Sequence, residues 1–387
     1  MIYDFDKLIN RHHTNSMKWD VDDMTLSMDI ADMDFKTAPV IIEAIKNKAE
    51  FGVLGYHDIP KAYYEGYCNW WRKHHNFIMN GDWMIFSTGV VPAISSIVRK
   101  ITTVGENVLV QAPVYNIFYN SIINNGRKVL TSDLVYKDYK YTVDFDDLES
   151  KLSDSQTTLM ILCNPHNPIG KVWEKETLEK IGDLCHKYNV VVLSDEIHCD
   201  ITQNNNYTPF ASINDYCRDN SITCLSVSKA FNLAGLQSAC IVVPNENLRN
   251  KVNRGLNTDE VAEPNAFVVD ATLAAFRGGE EWLKQLKSYI EKNKAVAEEY
   301  ILNNISNLKL VKSDATYLLW IDCEQITNST ALFCDFLVSK IGLKISEGSM
   351  FGDCGKQFIR MNIACPTKRM LEGLEKLKRG VEEFQKI

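Results

Sequence analysis

No apolar run in this chain reaches the roughly 18 to 20 residues that a membrane-crossing helix needs. The opening, Met1-Ile2-Tyr3-Asp4-Phe5-Asp6, has neither the basic nor the apolar block of a secretory leader. A cytoplasmic location and no membrane partner are therefore expected. Basic charge is also in deficit: 42 Lys and Arg stand against 50 Asp and Glu, for a net charge of −8. A polyanion is drawn by clustered Lys and Arg, so nucleic acid is not expected as a partner and small molecules become the favoured ligands. Gly and Pro are few, 19 and 10, which excludes a fibrous or disordered chain. The 11 Cys are odd in number, scattered and without a C-x-x-C pair, so reduced and mostly buried thiols are expected rather than disulfides or a zinc site. The adjacent pairs His12-His13 and His74-His75 point their side chains apart on a helix or strand, and no metal is expected.

What is present is an ordinary globular composition, 45% apolar and 24% charged, over 387 residues, enough for about two to three domains. Short β-rich apolar runs at 107–111, 158–163, 190–194, 223–227 and 239–243 are separated by helix-length segments. That alternation predicts an α/β domain with a largely parallel sheet. Beyond about residue 280 the pattern changes to a long helix at 279–304, a strand at 317–321, a helix at 329–341 and a strand at 358–363. A closing helix follows Pro366, with Met370, Leu371, Leu374, Leu377, Val381 and Phe384 on one face. This tail predicts a smaller C-terminal α/β domain.

Four segments carry possible chemistry. Ser226-Val227-Ser228-Lys229 follows an apolar strand, and partial burial there would favour a neutral amine able to form an imine; a Lys in such a place is also an ordinary solvated loop residue. Asp195, in Ser194-Asp195-Glu196-Ile197-His198, ends a strand, where ligands of α/β sheets bind, although a helix cap or an ion pair would use the same residue. Asn164-Pro165-His166-Asn167-Pro168-Ile169-Gly170 fixes an irregular turn from which Asn167 can present its amide, or is simply a tight loop. Ser87-Thr88-Gly89-Val90 resembles a turn entering a helix, whose first amides can bind phosphate.

Taken in order, the glycine turn, N-P-H-N-P-x-G, D-E-I-H and S-x-S-K resemble the fold-type I pyridoxal-phosphate (PLP) enzymes, the aspartate aminotransferase superfamily, over essentially the whole chain. Ala31-Asp32-Met33-Asp34-Phe35, Gly55-Tyr56-His57-Asp58, Ala112-Pro113-Val114-Tyr115 and Asp195-Glu196-Ile197-His198 are similar to its cystathionine β-lyase subgroup of the MalY and PatB type. The resemblance implies a large PLP-binding domain at 46–280 with a mostly parallel, seven-stranded type of sheet, and a small domain formed by 1–45 and 281–387. It implies Lys229 as the Schiff-base Lys, Asp195 as partner of the pyridine nitrogen, Asn167 as donor to the ring hydroxyl and Tyr115 as the ring stacked on the cofactor. Gly89, Val90, Ser226 and Ser228 would contact the phosphate. Tyr56 would reach it from the neighbouring subunit of a homodimer with shared sites. Arg360 would clamp the substrate carboxylate, which suits a planar guanidinium better than a Lys. Ala31 and Asn167 would also face the substrate, and His198 the cofactor.

Two positions depart from the wider superfamily and favour the lyase subgroup. His198 stands where many aminotransferases have Tyr, and Gln237 where many have a phosphate-binding Arg. The implied function is β-elimination from a sulfur-containing amino acid, giving a thiol, pyruvate and ammonia. An aminotransferase is the first alternative, and a PLP-binding regulatory or interaction protein the second.

Overall fold

The computed structural model describes residues 2–386, the side chain of Asn205 apart. Seven strands form the larger sheet: β1 (Met84–Ser87), β2 (Asn107–Val110), β3 (Lys128–Thr131), β4 (Thr157–Cys163), β5 (Val191–Asp195), β6 (Ser221–Leu225) and β7 (Ala239–Val242). Their order is β1-β7-β6-β5-β4-β2-β3. β2 to β6 run parallel, whereas β7 is antiparallel to both of its neighbours. The central strands read as continuous apolar runs because both faces are covered; in β4, every residue except Thr158 is buried. Cys163 lies opposite Asp195, and Asp195 opposite Cys224, so β4, β5 and β6 end side by side and release their loops at one rim.

Helices cover the faces. α1 (Pro39–Phe51) has Pro at its start and ends at Gly52, whose φ of 73° suits a residue without a Cβ. α2 (Lys61–His74) buries Tyr63, Tyr67, Trp70 and Trp71. α3 (Val90–Ile101) starts directly after β1 and buries Val90, Ala93, Ile94, Ile97 and Val98 against the sheet. At roughly 1.5–3 kcal/mol for each large apolar side chain removed from water, that stripe, rather than helix propensity, fixes α3 in place.

A four-stranded sheet holds the C-terminal part: β8 (Lys309–Leu310), β9 (Leu318–Asp322), β10 (Ser346–Glu347) and β11 (Phe358–Asn362), in the order β8-β9-β11-β10 and antiparallel throughout. α4 (Val268–Gly278) and α5 (Glu280–Asn304) lead into it, and α6 (Thr367–Phe384) closes the chain. The 25 residues of α5 span about 37 Å. Its first half, through Trp282, Leu286 and Ile290, packs with α2 and α4; its second half, through Ala297 and Ile301, packs with β9, β11 and α6. The N-terminal segment joins both bodies. Phe5, Phe35 and Ile41 lie in the first core, while Trp19, Leu26 and Met28 lie in the second.

The eleven thiols are all free and nine are buried. Among the described residues no helix is long and apolar enough to cross a membrane.

Candidate active site

The rim where β4, β5 and β6 end borders a cavity of about 750 Å³, closed on its far side by β10, β11 and the 29–31 segment. Ala31, Gly89, Val90, Tyr115, Asn167, Asp195, His198, Ser228, Lys229 and Arg360 all line it. They come from seven separate segments, most of them turns beside a buried strand or helix and one of them strand β11 itself, which is how residues 329 positions apart meet.

Lys229 extends from the turn after β6, and its Nζ donates to the Ala31 carbonyl at 2.6 Å. Burial pushes its amine down to about 8; the Arg360 charge acts the same way, against Asp32 and Asp195. Asp195 is 4% exposed and accepts one bond, at 3.2 Å from the amide of Ile197. Desolvation dominates and raises its carboxyl to about 7, with the Ile197 amide and Lys229 opposing. A buried carboxylate this poorly satisfied fits a cationic ring nitrogen.

Arg360, on β11, is 6% exposed. Nη1 donates to Asn167 Oδ1 at 3.2 Å, Nη2 to the Asp29 carbonyl at 2.8 Å, and the guanidinium lies 4.8 Å over the Phe351 ring. Nε is buried with no hydrogen-bond partner. Burial lowers even this group to about 10. None of its described contacts is a carboxylate oxygen, so its charge is left for an anion in the cavity.

Asn167 spends its oxygen on Arg360, which leaves its amide N–H groups for the cavity. Gly89 begins α3 at φ 153°, and a Cβ there would press on Pro92 at 3.3 Å. The first amides of α3 have no intrahelical acceptors and form an anion cradle. Ser228 borders that cradle, together with Gln237 and Ser238.

Ser226 is placed differently from Ser228. Its hydroxyl donates to the Ser238 carbonyl at 2.7 Å and accepts the Ser228 amide at 3.1 Å, so it braces the turn from behind and does not line the cavity. Tyr56 is not brought to the cavity of its own chain; it is fully exposed on the extended stretch after α1, beside exposed Phe51, Val53 and Leu54. His198 is 3% exposed, its Nδ1 has no partner, and burial with the neighbouring Lys229 and Arg360 charges pushes it down to about 3. It is therefore a neutral imidazole at physiological pH.

Sequence reasoning did not single out Tyr317, whose hydroxyl donates to the Ala31 carbonyl at 3.1 Å, nor Asn232 and Asn362, which bond the backbone next to it. Asn232 lies three residues past Lys229 and Asn362 two residues past Arg360, so proximity to motif residues was the available signal.

His75, Cys199 and Asp200 place three ligand types within 4.8 Å of one another. Asp200 Oδ1 already accepts from Trp70 Nε1 at 3.0 Å and lies 2.9 Å from His75 Nε2. Through Trp70 and His75, Asp200 ties α2 and its C-terminal end to the loop after β5.

The model of the class I and II aminotransferase family matches residues 23–377. The chain belongs to that family. It is 40% identical to cystathionine β-lyase PatB of Bacillus subtilis, over 97% of this chain and 98% of the relative. Among solved structures it is similar to cystalysin of Treponema denticola, which contains PLP, with a TM-score of 0.96, 32% identity, and coverage of 99% and 100% of the two chains. The PLP-bound C–S lyase of Staphylococcus hominis gives a TM-score of 0.92 at 31% identity, covering 98% of each chain. The family's two-body α/β architecture is the one described above. The cradle, the buried carboxylate, the buried Lys229 amine and the Arg360 guanidinium, which meets no carboxylate among the described residues, fit PLP and an amino-acid substrate as one set.

Proposed function

We propose that the protein is a PLP-dependent carbon–sulfur β-lyase that converts a sulfur-containing amino acid, of the cystathionine or cysteine S-conjugate class, to a thiol, pyruvate and ammonia. One observation carries the reading: Lys229, Asp195 and Arg360 face a single cavity in a chain that is 40% identical, over nearly its whole length, to a cystathionine β-lyase.

Bound PLP supplies an electron sink conjugated to the substrate's amine-bearing carbon. The rest is the work of this chain's residues. Lys229 holds the cofactor covalently and, once its amine is free, removes the Cα proton; an amine lowered to about 8 is partly neutral at physiological pH and able to accept that proton. Asp195 keeps the ring nitrogen protonated, and the buried site makes the charge pair mutually stabilising. Asn167 would donate to the ring hydroxyl and Tyr115 would stack on the ring, with His198 nearby as a neutral imidazole. Gly89, Val90 and Ser228 hold the phosphate, with Ser226 bracing Ser228. Arg360 grips the substrate carboxylate, and Ala31 and Asn167 border the same end. With PLP bound, proton removal by Lys229 would allow the thiolate to leave Cβ and take up a proton, and Lys229 would then displace the product, which with one water gives pyruvate and ammonia.

A homodimer with shared sites completes the proposal. Tyr56 stands wholly exposed on a segment that also displays Phe51, Val53 and Leu54, a patch that a second copy of the chain would cover while delivering Tyr56 to the phosphate of its neighbour. The large domain is proposed as 46–280 and the small domain as 1–45 with 281–387, with Phe5, Phe35, Ile41 and the first half of α5 packing back into the core of the large one, in a cytoplasmic enzyme.

Product analysis with L-cystathionine tests the reading. Homocysteine, pyruvate and ammonia in equal amounts are expected. A keto acid that retains the sulfur would make the protein an aminotransferase, and no turnover of any amino acid would leave a PLP-binding regulatory or interaction protein.

A further inference from the structure

The segment from Asp29 to Phe35, whose residues 29–31 line the cavity, is an irregular rail, bent at 30–31 and 34–35, whose carbonyls are bonded by side chains from distant parts of the chain. Asn362 Nδ2 donates to the Ile30 and Asp32 carbonyls, both at 2.6 Å, while its Oδ1 accepts from the Ala364 amide at 2.8 Å. Asn232 Nδ2 donates to the Met33 and Phe35 carbonyls at 3.0 and 2.9 Å, and its Oδ1 accepts from the Met33 amide at 3.0 Å. Each amide thus uses both of its N–H groups and its oxygen, and the rail is fixed on both sides of residue 31. Between those anchors the Ala31 carbonyl is turned to Lys229 Nζ at 2.6 Å and to the Tyr317 hydroxyl at 3.1 Å. Asn232 lies three residues after Lys229, and Asn362 two residues after Arg360. The peptide carrying the amine and the peptide carrying the guanidinium are therefore gauged against one common rail. Asn232 takes a positive φ of 55°, a conformation that Asn tolerates better than most residues.

We propose that Asn232 and Asn362 are positioning residues: they hold the 30–35 rail so that the Ala31 carbonyl keeps the free amine of Lys229 in line with the substrate Cα while it carries the proton. The inference rests on the reading of Lys229 as the base. An amine on a four-carbon stem has many rotamers, and a carbonyl in a fixed place selects one of them. Displacement of a reacting group by about 1 Å costs on the order of 100-fold in rate, so anchoring the acceptor governs turnover without touching the substrate.

The test uses Asn232→Gly, which removes the amide without straining the positive φ, and Asn362→Ala. Both full-length variants are loaded with PLP. The first measurement is exchange of the Cα hydrogen of L-alanine, which has no leaving group, in deuterated water, together with kcat and KM for elimination. Exchange and kcat are expected to fall about 10- to 100-fold, with KM for Asn232→Gly changed by less than about threefold, since Arg360 still holds the carboxylate. The second measurement removes PLP and follows labelling of Lys229 by an amine reagent against pH. Loss of a held acceptor disfavours the ammonium, so the labelling midpoint should fall by about half a pH unit or more. Should Asn362→Ala fail to fold, Asn362→Ser retains one donor and should show a smaller change in the same direction. An unchanged midpoint and unchanged kcat in both variants would overturn the proposal, even if backbone amide exchange over 28–36 rises. A Lys229→Ala enzyme that still exchanges the Cα hydrogen would instead overturn the reading of Lys229, which separates the two failures.

Discussion

Arg360 Nη1 donates to Asn167 Oδ1 at 3.2 Å, a single bond that joins β11 of the smaller sheet to the loop leaving β4 of the larger one. The residue proposed to receive the substrate carboxylate and the residue proposed to orient the cofactor ring thereby share one hydrogen bond. Their relative placement is set before any ligand arrives.

Asn167→Ala removes the acceptor of Arg360 and a donor to the ring at once. KM for the amino acid should rise about 10-fold, in keeping with a lost hydrogen bond to a charged group worth about 1.5 kcal/mol or more, and cofactor affinity should fall with it. Asn167→Asp should be milder for Arg360, because a carboxylate still accepts, and worse for the ring hydroxyl, which loses its donor. Steady-state kinetics and PLP titration of the two variants distinguish these effects.

Asp195 makes a prediction about stability and pH. Its carboxyl in the PLP-free fold stands at about 7, well above the ordinary value of about 3.9 for an unfolded chain. A raised acid opposes folding above the unfolded value, and its cost grows with pH until about 7, where the folded carboxyl ionises. Asp195→Asn removes that cost. Without PLP the variant should therefore melt at a higher temperature than the parent at pH 8, and the gap should close toward pH 4. With PLP the order should reverse, since only the carboxylate pairs with the ring nitrogen, and Cα deprotonation should slow by orders of magnitude. Thermal scans at the two pH values, with and without PLP, check the signs.

Tyr56 tests the shared site. Mixing a Tyr56→Phe subunit with a Lys229→Ala subunit should give heterodimers in which one site carries both defects and the other carries neither, so activity returns. If Tyr56 serves its own chain, each site keeps one defect and none returns. Heterodimer formation, measured by mass, and impairment of both parents frame the comparison.

Much of this arrangement was legible in the chain. Apolar runs marked β2, β4, β5, β6 and β7 to within one or two residues, because buried strands admit little else, and the chemistry follows where those runs stop. Strand direction is not written in an apolar run, so the antiparallel setting of β7 was not legible, nor was the pairing of β1 beside it. The helix expected at 329–341 is α-helical only over Thr330–Phe336 and continues as a wider turn over Leu337–Ile341. Ser226 and Ser228 look equivalent in S-x-S-K, yet only Ser228 lines the cavity, while the Ser226 hydroxyl lies behind it, 2.9 Å from the Ser228 hydroxyl and 2.7 Å from the Ser238 carbonyl. The roles argued for Asn232 and Tyr317 depend on partners 199 and 286 positions away, which no local pattern encodes.

The central claim is that the Lys229 amine performs a β-elimination in this cavity, and thiol release from L-cystathionine by the parent and by Lys229→Ala, each with its PLP content measured, tests it most directly. The account predicts homocysteine and pyruvate in a 1:1 ratio from the parent, about one of each per turnover, and a loss of several orders of magnitude in Lys229→Ala although PLP still occupies the phosphate and ring contacts. Equal turnover by the two proteins, or a sulfur-retaining keto acid from the parent without thiol, would contradict it.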